Sequence, residues 1–286
     1  MDYGTFTEFF RKHAGDFDAL LFDVDGTLSI GKTPIPGTKE LLTHLNSTGF
    51  PYLLLTNDAC NATCQKAGYL NKAGIPVVPS QVLSAGNALK CWADKYYHGG
   101  TYFQLGKMGD PSFTEAANIA YTTDPSLAGD CCGVIVGEGI YDWQPSVEAA
   151  FNLLLKHPEY PLIVCNPDSY WPSMRIQGFG IGSGAMARFI CQVLADAGKT
   201  VVPTYLGKPY APIYDCVMQY LQQLFPQKSF SDPRRCLMVG DSLTSDIAGA
   251  NACGMGSALV LTGITGLDAA LNAPPEKRPG FIFKSI

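Results

Sequence analysis

The chain has 286 residues, of which 47% are hydrophobic and 16% are charged, and its formal net charge is −5. This composition predicts a globular protein of one or two domains and excludes a disordered chain. The negative charge argues against general binding of nucleic acid or of an anionic membrane, so any affinity for phosphate must be local. The first residues contain no uninterrupted apolar core and no stretch reaches membrane-spanning length, so we expect a cytoplasmic location without a secretory signal.

The ten cysteines are scattered along the chain and form no Cys-x-x-Cys pair. Several of them, including Cys165 and Cys236, stand inside apolar runs, where a reduced cysteine behaves as a small hydrophobic residue. This pattern favours reduced cysteines, as in a cytoplasmic protein, over a disulfide framework or a zinc site.

Alternating apolar strands and amphipathic helices predict the α/β class, with a parallel sheet and crossover helices. A buried strand at residues 19–22 leads into Asp23-Val24-Asp25-Gly26-Thr27, and a second buried strand at 51–55 ends at Thr56. Helices are predicted at residues 37–48, 60–73 and 84–96.

The pattern changes at about residue 99, where shorter elements predict a smaller α/β domain at residues 99–181. The pattern of the first part resumes with a helix that opens at Gly182. We therefore predict a doubly wound, Rossmann-like core formed by residues 1–98 and 182–286, with the smaller domain inserted into it.

Asp23 and Asp25 follow the first predicted strand. Side chains at i and i+2 of an extended segment point the same way, so both carboxylates can face one site at the carboxyl end of a sheet. Two adjacent carboxylates repel each other unless a cation or an acid–base role retains them. An ordinary strand-to-turn junction is the alternative, since Asp and Gly also favour turns. A calcium loop is excluded, because its sixth and twelfth positions would be Leu28 and Pro34 in place of Gly and Glu.

Four predicted strand ends carry polar residues, and a doubly wound sheet brings such ends to one edge. They are Asp23 with Asp25, Thr56, Lys208, and Asp241 with Asp246. Taken singly, Thr56 could cap the following helix, Lys208 could be a solvated loop lysine, and the last two aspartates could be acids at a helix start. Their joint occurrence favours one shared site.

This set resembles the motifs of the haloacid dehalogenase (HAD) superfamily phosphatases. Those motifs are Asp-x-Asp-x-Thr, a strand ending in Thr or Ser, a Lys, and Gly-Asp-x-x-x-x-Asp. All four occur here in that order, and residues 240–246 match the last one in full. The insertion of about 150 residues between Thr56 and Lys208 is far longer than a crossover needs. It resembles the second cap class (class IIA), the group of NagD, p-nitrophenyl phosphatases and sugar phosphatases.

The resemblance implies a role for each catalytic residue. Asp23 is implied as the nucleophile that forms an aspartyl-phosphate, and Asp25 as the general acid and base for the leaving alcohol and the attacking water. Thr56 is implied to bind the phosphoryl oxygens, and Lys208 to offset the negative charge.

The resemblance also implies Mg²⁺ as the cofactor, since this ion prefers oxygen ligands. The implied metal residues are Asp23, Asp25 through its backbone carbonyl, Asp241, and Asp246, which would orient metal-bound waters or hold Lys208. The implied reaction is hydrolysis of a small phosphomonoester, such as a sugar phosphate or a related metabolite.

Candidate substrate-binding residues lie near two further family marks, Thr56-Asn57 and Asn166-Pro167-Asp168. They are Asn57, Asp58, Asp168 and Trp171. The family usually has a second Asn where this chain has Asp58, and an added carboxylate there disfavours anionic leaving groups such as that of phosphoglycolate. Trp171 is predicted in an exposed loop, where its ring would stack on a sugar; packing between the domains is the alternative.

Several alternatives stay open for the function. Within the family they are a nucleotide phosphatase and a phosphatase of the pyridoxal or phosphoglycolate type; a phosphomutase or a non-catalytic binding protein on the same fold fits less well. A dehalogenase would lack an acid–base residue at Asp25. The expected partner is a small-molecule substrate, with neither nucleic acid nor membrane, and the resemblance implies a homodimer.

Overall fold

The computed structural model describes residues 4–139, 141–173 and 178–286. Two compact units make up the chain, and each contains a parallel β-sheet with helices, which confirms the predicted α/β class. The first unit comprises Met1–Thr56, Thr63–Leu83 and Lys208–Ile286, and the second comprises Asn57–Ala62 and Ser84–Gly207.

The strands of the described residues are numbered in chain order. They are β1 (Ala19–Phe22), β2 (Ser29–Ile30), β3 (Thr33–Pro34), β4 (Tyr52–Thr56), β5 (Val82–Ser84), β6 (Thr101–Leu105), β7 (Ala120–Thr122), β8 (Val134–Val136), β9 (Leu162–Val164), β10 (Tyr170–Ser173), β11 (Gly178–Ile181), β12 (Thr204–Tyr205), β13 (Cys236–Gly240), β14 (Gly256–Val260) and β15 (Phe281–Phe283).

The α-helices of the same residues are also numbered in order. They are α1 (Phe6–His13), α2 (Thr38–Thr48), α3 (Thr63–Lys72), α4 (Asn87–Tyr96), α5 (Phe113–Ala116), α6 (Trp143–Lys156), α7 (Ser183–Asp196), α8 (Ala211–Leu224), α9 (Ala248–Ala252) and α10 (Leu267–Leu271). A turn of π-helix at Leu243–Ile247 directly precedes α9.

The first unit is built on a six-stranded sheet in the order β15-β14-β13-β1-β4-β5. The central strand β1 pairs in parallel with β13 on one side and with β4 on the other. All four side chains of β1 are buried, as expected for a strand covered on both faces. The strands of this sheet that next follow β1 in the chain, β4 and β5, lie on one side of it, and the later strands β13 to β15 lie on the other. The carboxyl end of β1 is therefore at the point where open α/β sheets form their binding crevice.

Aromatic packing anchors α1 on this sheet. Thr5 and Glu8 form a capping box that starts the helix, which directs Phe6 and Phe10 into the core. The ring of Phe6 packs edge-on against Phe22 in β1, with centroids 5.7 Å apart. The helix therefore packs its aromatic face onto the apolar core of the first unit.

The second unit contains a five-stranded parallel sheet in the order β12-β9-β8-β6-β7, and a separate antiparallel pair, β10 with β11. Its apolar core lies between the five-stranded sheet and the helices α6 and α7. Leu162, Ile163 and Val164 of β9 are fully buried, so this sheet has its own core.

The predicted boundaries of the inserted domain are wrong at both ends. Residues 84–98 and 182–207, which the sequence assigned to the core, belong to the second unit. The N-terminal segment contains α4, where Trp92 packs edge-on against Tyr102 of β6. The C-terminal segment contains α7, which packs on α6, and β12, which pairs with β9. These contacts satisfy the apolar faces of both segments within the second unit.

Two other expectations bear on the environment of the protein. Eight cysteines are free thiols, but Cys91 and Cys216 are disulfide-bonded, so the expectation of reduced cysteines is wrong at these two positions. Among the helices of the described residues, none combines the length and the hydropathy that crossing a membrane requires. The cytoplasmic location stays a prediction.

Candidate active site

Three strands of the first unit place polar residues at the carboxyl edge of its sheet. Asp23 directly follows β1 and donates its backbone N–H to the carbonyl of Val239 in β13. Thr56 is the last residue of β4 and is buried, and Asp241 directly follows β13. The parallel register of β1 with both neighbours therefore brings these three positions together, as the sequence predicts.

Lys208 is the central cation of this edge. Its Nζ donates to Asp23 Oδ1 at 2.6 Å and to Asp246 Oδ1 at 2.7 Å, and only 2% of its side chain is exposed. Burial lowers the pKa of Lys208, but the two carboxylates more than offset this, so its pKa lies above the ordinary value and the ammonium group stays charged. The alternative of a solvated loop lysine is therefore wrong.

Three carboxylates converge beside this lysine. One oxygen from each of Asp23, Asp241 and Asp246 lies within 4.8 Å of the others. Burial raises the pKa of Asp23 well above its usual range; Lys208 opposes this shift, and the other two carboxylates reinforce it. Burial, together with Asp246, raises the pKa of Asp241 to about 6. One lysine does not balance three carboxylates, so the cluster has the oxygen ligands and the excess negative charge that suit a divalent cation.

The hydrogen bonds distinguish the two aspartates that follow β13. Asp246 accepts from Lys208 with Oδ1 and from the backbone N–H of Ser242 with Oδ2 at 3.1 Å, so both of its oxygens are engaged. Asp241 Oδ2 accepts from the backbone N–H of Ile264 at 2.7 Å. Asp241 is therefore better placed than Asp246 to bind a cation directly. Asp246 binds Lys208 and the backbone at the start of the π-helical turn.

Glycines give Asp241 the space that it occupies. Gly26 has φ +93°, and a Cβ atom there would lie 2.4 Å from Asp241 Oδ2. A Cβ atom on Gly263 would lie 1.8 Å from the same oxygen. Thr262 Oγ1 donates to the carbonyl of Gly26 at 2.6 Å and so fastens the two loops to each other. The carboxylate thus lies in a cradle that side chains at these positions would fill.

Asp25 stands apart from the carboxylate cluster. Within the described residues, its carboxylate is not among the converging ligand oxygens, and its side chain is 61% exposed. Its Oδ2 lies 3.3 Å from Nζ of Lys66 on α3. Sequence reasoning missed Lys66, because a lysine on an amphipathic helix ordinarily reads as a solvated surface residue.

The predicted substrate-binding residues lie in the second unit. Asn57 Nδ2 donates to Asp168 Oδ1 at 3.1 Å, so two of these four residues contact each other. Asp58 Oδ1 accepts from the backbone N–H groups of Cys60 and Asn61 at 3.0 and 3.1 Å. Asp58 therefore helps to fold the loop that follows it, a role that the sequence prediction did not include.

A network at the ends of β8 and β9 supports Asp168. Asn166 Oδ1 accepts the backbone N–H of Asp168 at 2.9 Å, and Asn166 Nδ2 donates to Glu138. Ser183 Oγ, at the start of α7, donates to the carbonyl of Asn166 at 2.9 Å. Burial raises the pKa of Glu138 to about 7; the Asn166 bond lowers it, and Asp58 and Asp168 raise it further. Sequence reasoning did not identify Glu138, because a single Glu after a strand carries no motif.

Trp171 lies in β10 rather than in the predicted loop. It pairs with Gly180 of β11, and a Cβ atom on Gly180 would lie 2.5 Å from the indole. The side chain is 44% exposed, as the sequence suggested. The glycine thus lets the indole lie against the neighbouring strand, while a contact of Trp171 with substrate stays a prediction.

Comparisons with known proteins add independent information. A family model described as haloacid dehalogenase-like hydrolase matches residues 20–120, and one described as HAD-hydrolase-like matches residues 205–286. These two ranges contain all the proposed catalytic and metal-binding residues, namely Asp23, Asp25, Thr56, Lys208, Asp241 and Asp246.

Similar proteins are known from mammals and from bacteria. Chronophin of Mus musculus is 30% identical over 272 residues, which cover 91% of this chain and 86% of the relative. The acid sugar phosphatase of Staphylococcus aureus is 28% identical over 271 residues, covering 94% and 95%. A glycerol phosphate phosphatase of Mycobacterium tuberculosis, solved in complex with calcium, has a TM-score of 0.77 and 25% identity, covering 95% of this chain and 74% of that one.

Proposed function

Because the chain belongs to the haloacid dehalogenase-like hydrolases and is a phosphatase of that superfamily, we propose that it hydrolyses a sugar phosphate or a related small phosphomonoester through an aspartyl-phosphate on Asp23. The observation that carries this proposal is the pairing of Lys208 with both Asp23 and Asp246, beside Asp241. A charged lysine held by the nucleophile keeps one carboxylate oxygen in place and opposes the negative charge of an incoming phosphate.

In the first step, Asp23 attacks phosphorus, and the bond between phosphorus and the leaving oxygen breaks. Lys208 binds Oδ1 of Asp23, so Oδ2, which lies 3.4 Å from Thr27 Oγ1, is the oxygen available for attack. Asp25 donates a proton to the leaving alcohol. The products of this step are the free alcohol and the phosphorylated Asp23.

In the second step, Asp25 takes a proton from water, whose oxygen attacks the phosphorus of the aspartyl-phosphate. The bond between phosphorus and Asp23 breaks, which releases inorganic phosphate and restores the carboxylate. Thr56, buried at the end of β4, would bind the phosphoryl oxygens during both steps.

Mg²⁺ is the proposed cofactor. Asp23, Asp241 and the backbone carbonyl of Asp25 would hold the ion, with Asp246 acting through Lys208 and through metal-bound water. When bound, the ion would neutralise charge on the phosphoryl oxygens and on the carboxylate cluster. Burial, reinforced by the neighbouring carboxylates, raises the pKa values of Asp23 and Asp241, and a cation at this point would stabilise their charged forms.

A hydroxyl-rich leaving group is the substrate class that we favour. Asn57, Asp58, Asp168 and Trp171 are the proposed leaving-group contacts, and their carboxylates and amide suit hydroxyl groups. The names of the S. aureus and M. tuberculosis relatives point to sugar phosphate and glycerol phosphate. Nucleotides, pyridoxal phosphate and phosphoglycolate are the alternative substrates.

A turnover screen tests the proposal. Phosphate release is measured with sugar phosphates, glycerol 3-phosphate, nucleotides, pyridoxal phosphate and phosphoglycolate, with Mg²⁺ and after its removal by a chelator. We expect Mg²⁺-dependent turnover that favours the hydroxyl-bearing substrates and falls by several orders of magnitude in Asp23→Asn. Near-normal turnover by Asp23→Asn would refute the nucleophile, and preference for phosphoglycolate would refute the substrate class.

A further inference from the structure

Lys66 is an enclosed lysine that contacts an exposed carboxylate. Its Nζ lies 3.3 Å from Asp25 Oδ2, and its side chain is 14% exposed against 61% for Asp25. The exposed pair of Lys90 and Asp94 on α4 shows the ordinary case, with both side chains about half exposed. Enclosing a lysine costs side-chain entropy and hydration, so the position of Lys66 is not that of a typical surface ion pair.

The contact constrains the rotation of Asp25. An aspartate with most of its side chain in water has few contacts to restrict its carboxylate, whereas general acid–base catalysis requires a defined position within hydrogen-bond reach of the leaving oxygen. An ammonium group at Oδ2 orients the carboxylate and leaves Oδ1 for the proton that is transferred.

We propose that Lys66 is a positioning residue that orients the Asp25 carboxylate toward the leaving group. The inference rests on the proposed function, in which Asp25 protonates the leaving alcohol. Lys66 lies on α3 within the first unit, so the same unit supplies the nucleophile, the acid–base residue and the lysine that orients it.

The proposal predicts an effect that depends on the leaving group. The alkoxide of glycerol is a poor leaving group and needs a proton from Asp25, whereas p-nitrophenolate is weakly basic and leaves without one. The second step, in which Asp25 activates water, is common to both substrates, whereas kcat/KM reports the steps through the release of the leaving group. Loss of the orientation of Asp25 should therefore lower kcat/KM for glycerol 3-phosphate and spare kcat/KM for p-nitrophenyl phosphate. A lysine that only supported the fold would lower both in equal proportion.

The test compares Lys66→Met, Lys66→Arg and Lys72→Met in the full chain. Lys72 is an exposed lysine of the same helix, so its replacement removes the same charge without contact to Asp25. In Lys66→Met we expect kcat/KM for glycerol 3-phosphate to fall roughly tenfold or more, with less than about twofold change in kcat/KM for p-nitrophenyl phosphate. Lys66→Arg should recover most of the lost kcat/KM for glycerol 3-phosphate, and Lys72→Met should match the unmodified protein.

Each other outcome overturns the proposal. Equal loss of kcat/KM on both substrates with a lowered melting temperature means that Lys66 supports the fold. A rise in KM for glycerol 3-phosphate with an unchanged kcat means that Lys66 binds the leaving group. The Asp25→Asn variant shows whether a negative result refutes only the role of Lys66 or also the proposed function. If Asp25→Asn shows the substrate-dependent loss and Lys66→Met does not, only the role of Lys66 is refuted. If Asp25→Asn shows no such loss, or the unmodified protein hydrolyses neither substrate, both are refuted.

Discussion

At the scale of single residues, the pair of ion contacts made by Lys208 sets the stability of the site as well as its chemistry. Asp23 and Asp246 are held by the same buried ammonium group. Removing one partner of a buried ion pair leaves the remaining charges uncompensated, which costs more than an exposed pair contributes.

Lys208→Met should therefore lower the free energy of unfolding by about 3–5 kcal/mol and abolish turnover. Denaturant unfolding measures the first effect and a phosphate-release assay the second. Lys90→Met, which breaks an exposed pair, is the control and should change stability by about 0.5 kcal/mol or less. A stable, active Lys208→Met protein would contradict the central role of this lysine.

Asp241 offers a prediction of the opposite sign. Its carboxylate crowds two others, so Asp241→Asn should raise the melting temperature of the metal-free protein while it weakens Mg²⁺ binding. The amide can still accept from the N–H of Ile264, so the fold should be unaffected. We expect the half-saturating Mg²⁺ concentration to rise roughly tenfold or more. An unchanged concentration would show that Asp241 is not a ligand.

At the scale of elements, the loop after β14 determines the position of Asp241. A Cβ atom on Gly263 would overlap Asp241 Oδ2, whereas a Cβ atom on Gly266, three residues later, would have nothing within 4 Å. Gly263→Ala should therefore lower turnover and weaken Mg²⁺ binding, each roughly tenfold, and Gly266→Ala should do neither. Activity measured across a Mg²⁺ titration tests both variants. Equal turnover and equal half-saturating Mg²⁺ concentrations in the two variants would show that Gly263 does not determine the position of Asp241.

The turn between β8 and α6 should respond to pH through Glu138. Its pKa is raised from 4.5 to about 7, so the folded state binds a proton that the unfolded state releases at lower pH. The stability that Glu138 contributes is present below pH 4.5 and is lost as the pH rises through about 7. The amide in Glu138→Gln cannot ionise, so this variant should not lose this contribution to stability in this pH range.

The unfolding free energy, measured from about pH 5 to about pH 8, tests this expectation. The unmodified protein should lose on the order of 2 kcal/mol more than Glu138→Gln over that range. Parallel pH curves for the two proteins would show that Glu138 is ionised in the same way in the folded and unfolded states.

The residues of the candidate site also show how much of that site could be predicted from the sequence. The positions of Asp23, Thr56 and Asp241 follow from strand ends of the first sheet, and strand ends are local patterns. Lys208 differs, because the strand before it, β12, pairs with β9 in the second sheet and not, as the sequence had suggested, with a strand of the first. Lys66 and Glu138 carry no local pattern. Their surroundings depend on side chains from distant parts of the chain, which only the folded protein brings together.

At the scale of the whole molecule, the α/β class and the existence of an insertion could be predicted, but its limits could not. The amphipathic period of α4 and α7 shows that each helix has an apolar face, without showing which sheet that face covers. Two parallel sheets occur in this chain, and residues 84–98 and 182–207 pack with the second one. Long-range pairing such as that of β12 with β9 decides the boundary.

The pairing of β1 with β13 joins two strands that are far apart in the chain and are therefore synthesised at different times. Ala19 is paired with Cys236, so the central strand of the first sheet emerges from the ribosome long before its neighbour exists. Until β13 arrives, one edge of β1 is an apolar strand without a partner, which is a template for aggregation. This edge of β1 is therefore open to pairing with other chains until residues 236–240 have been synthesised.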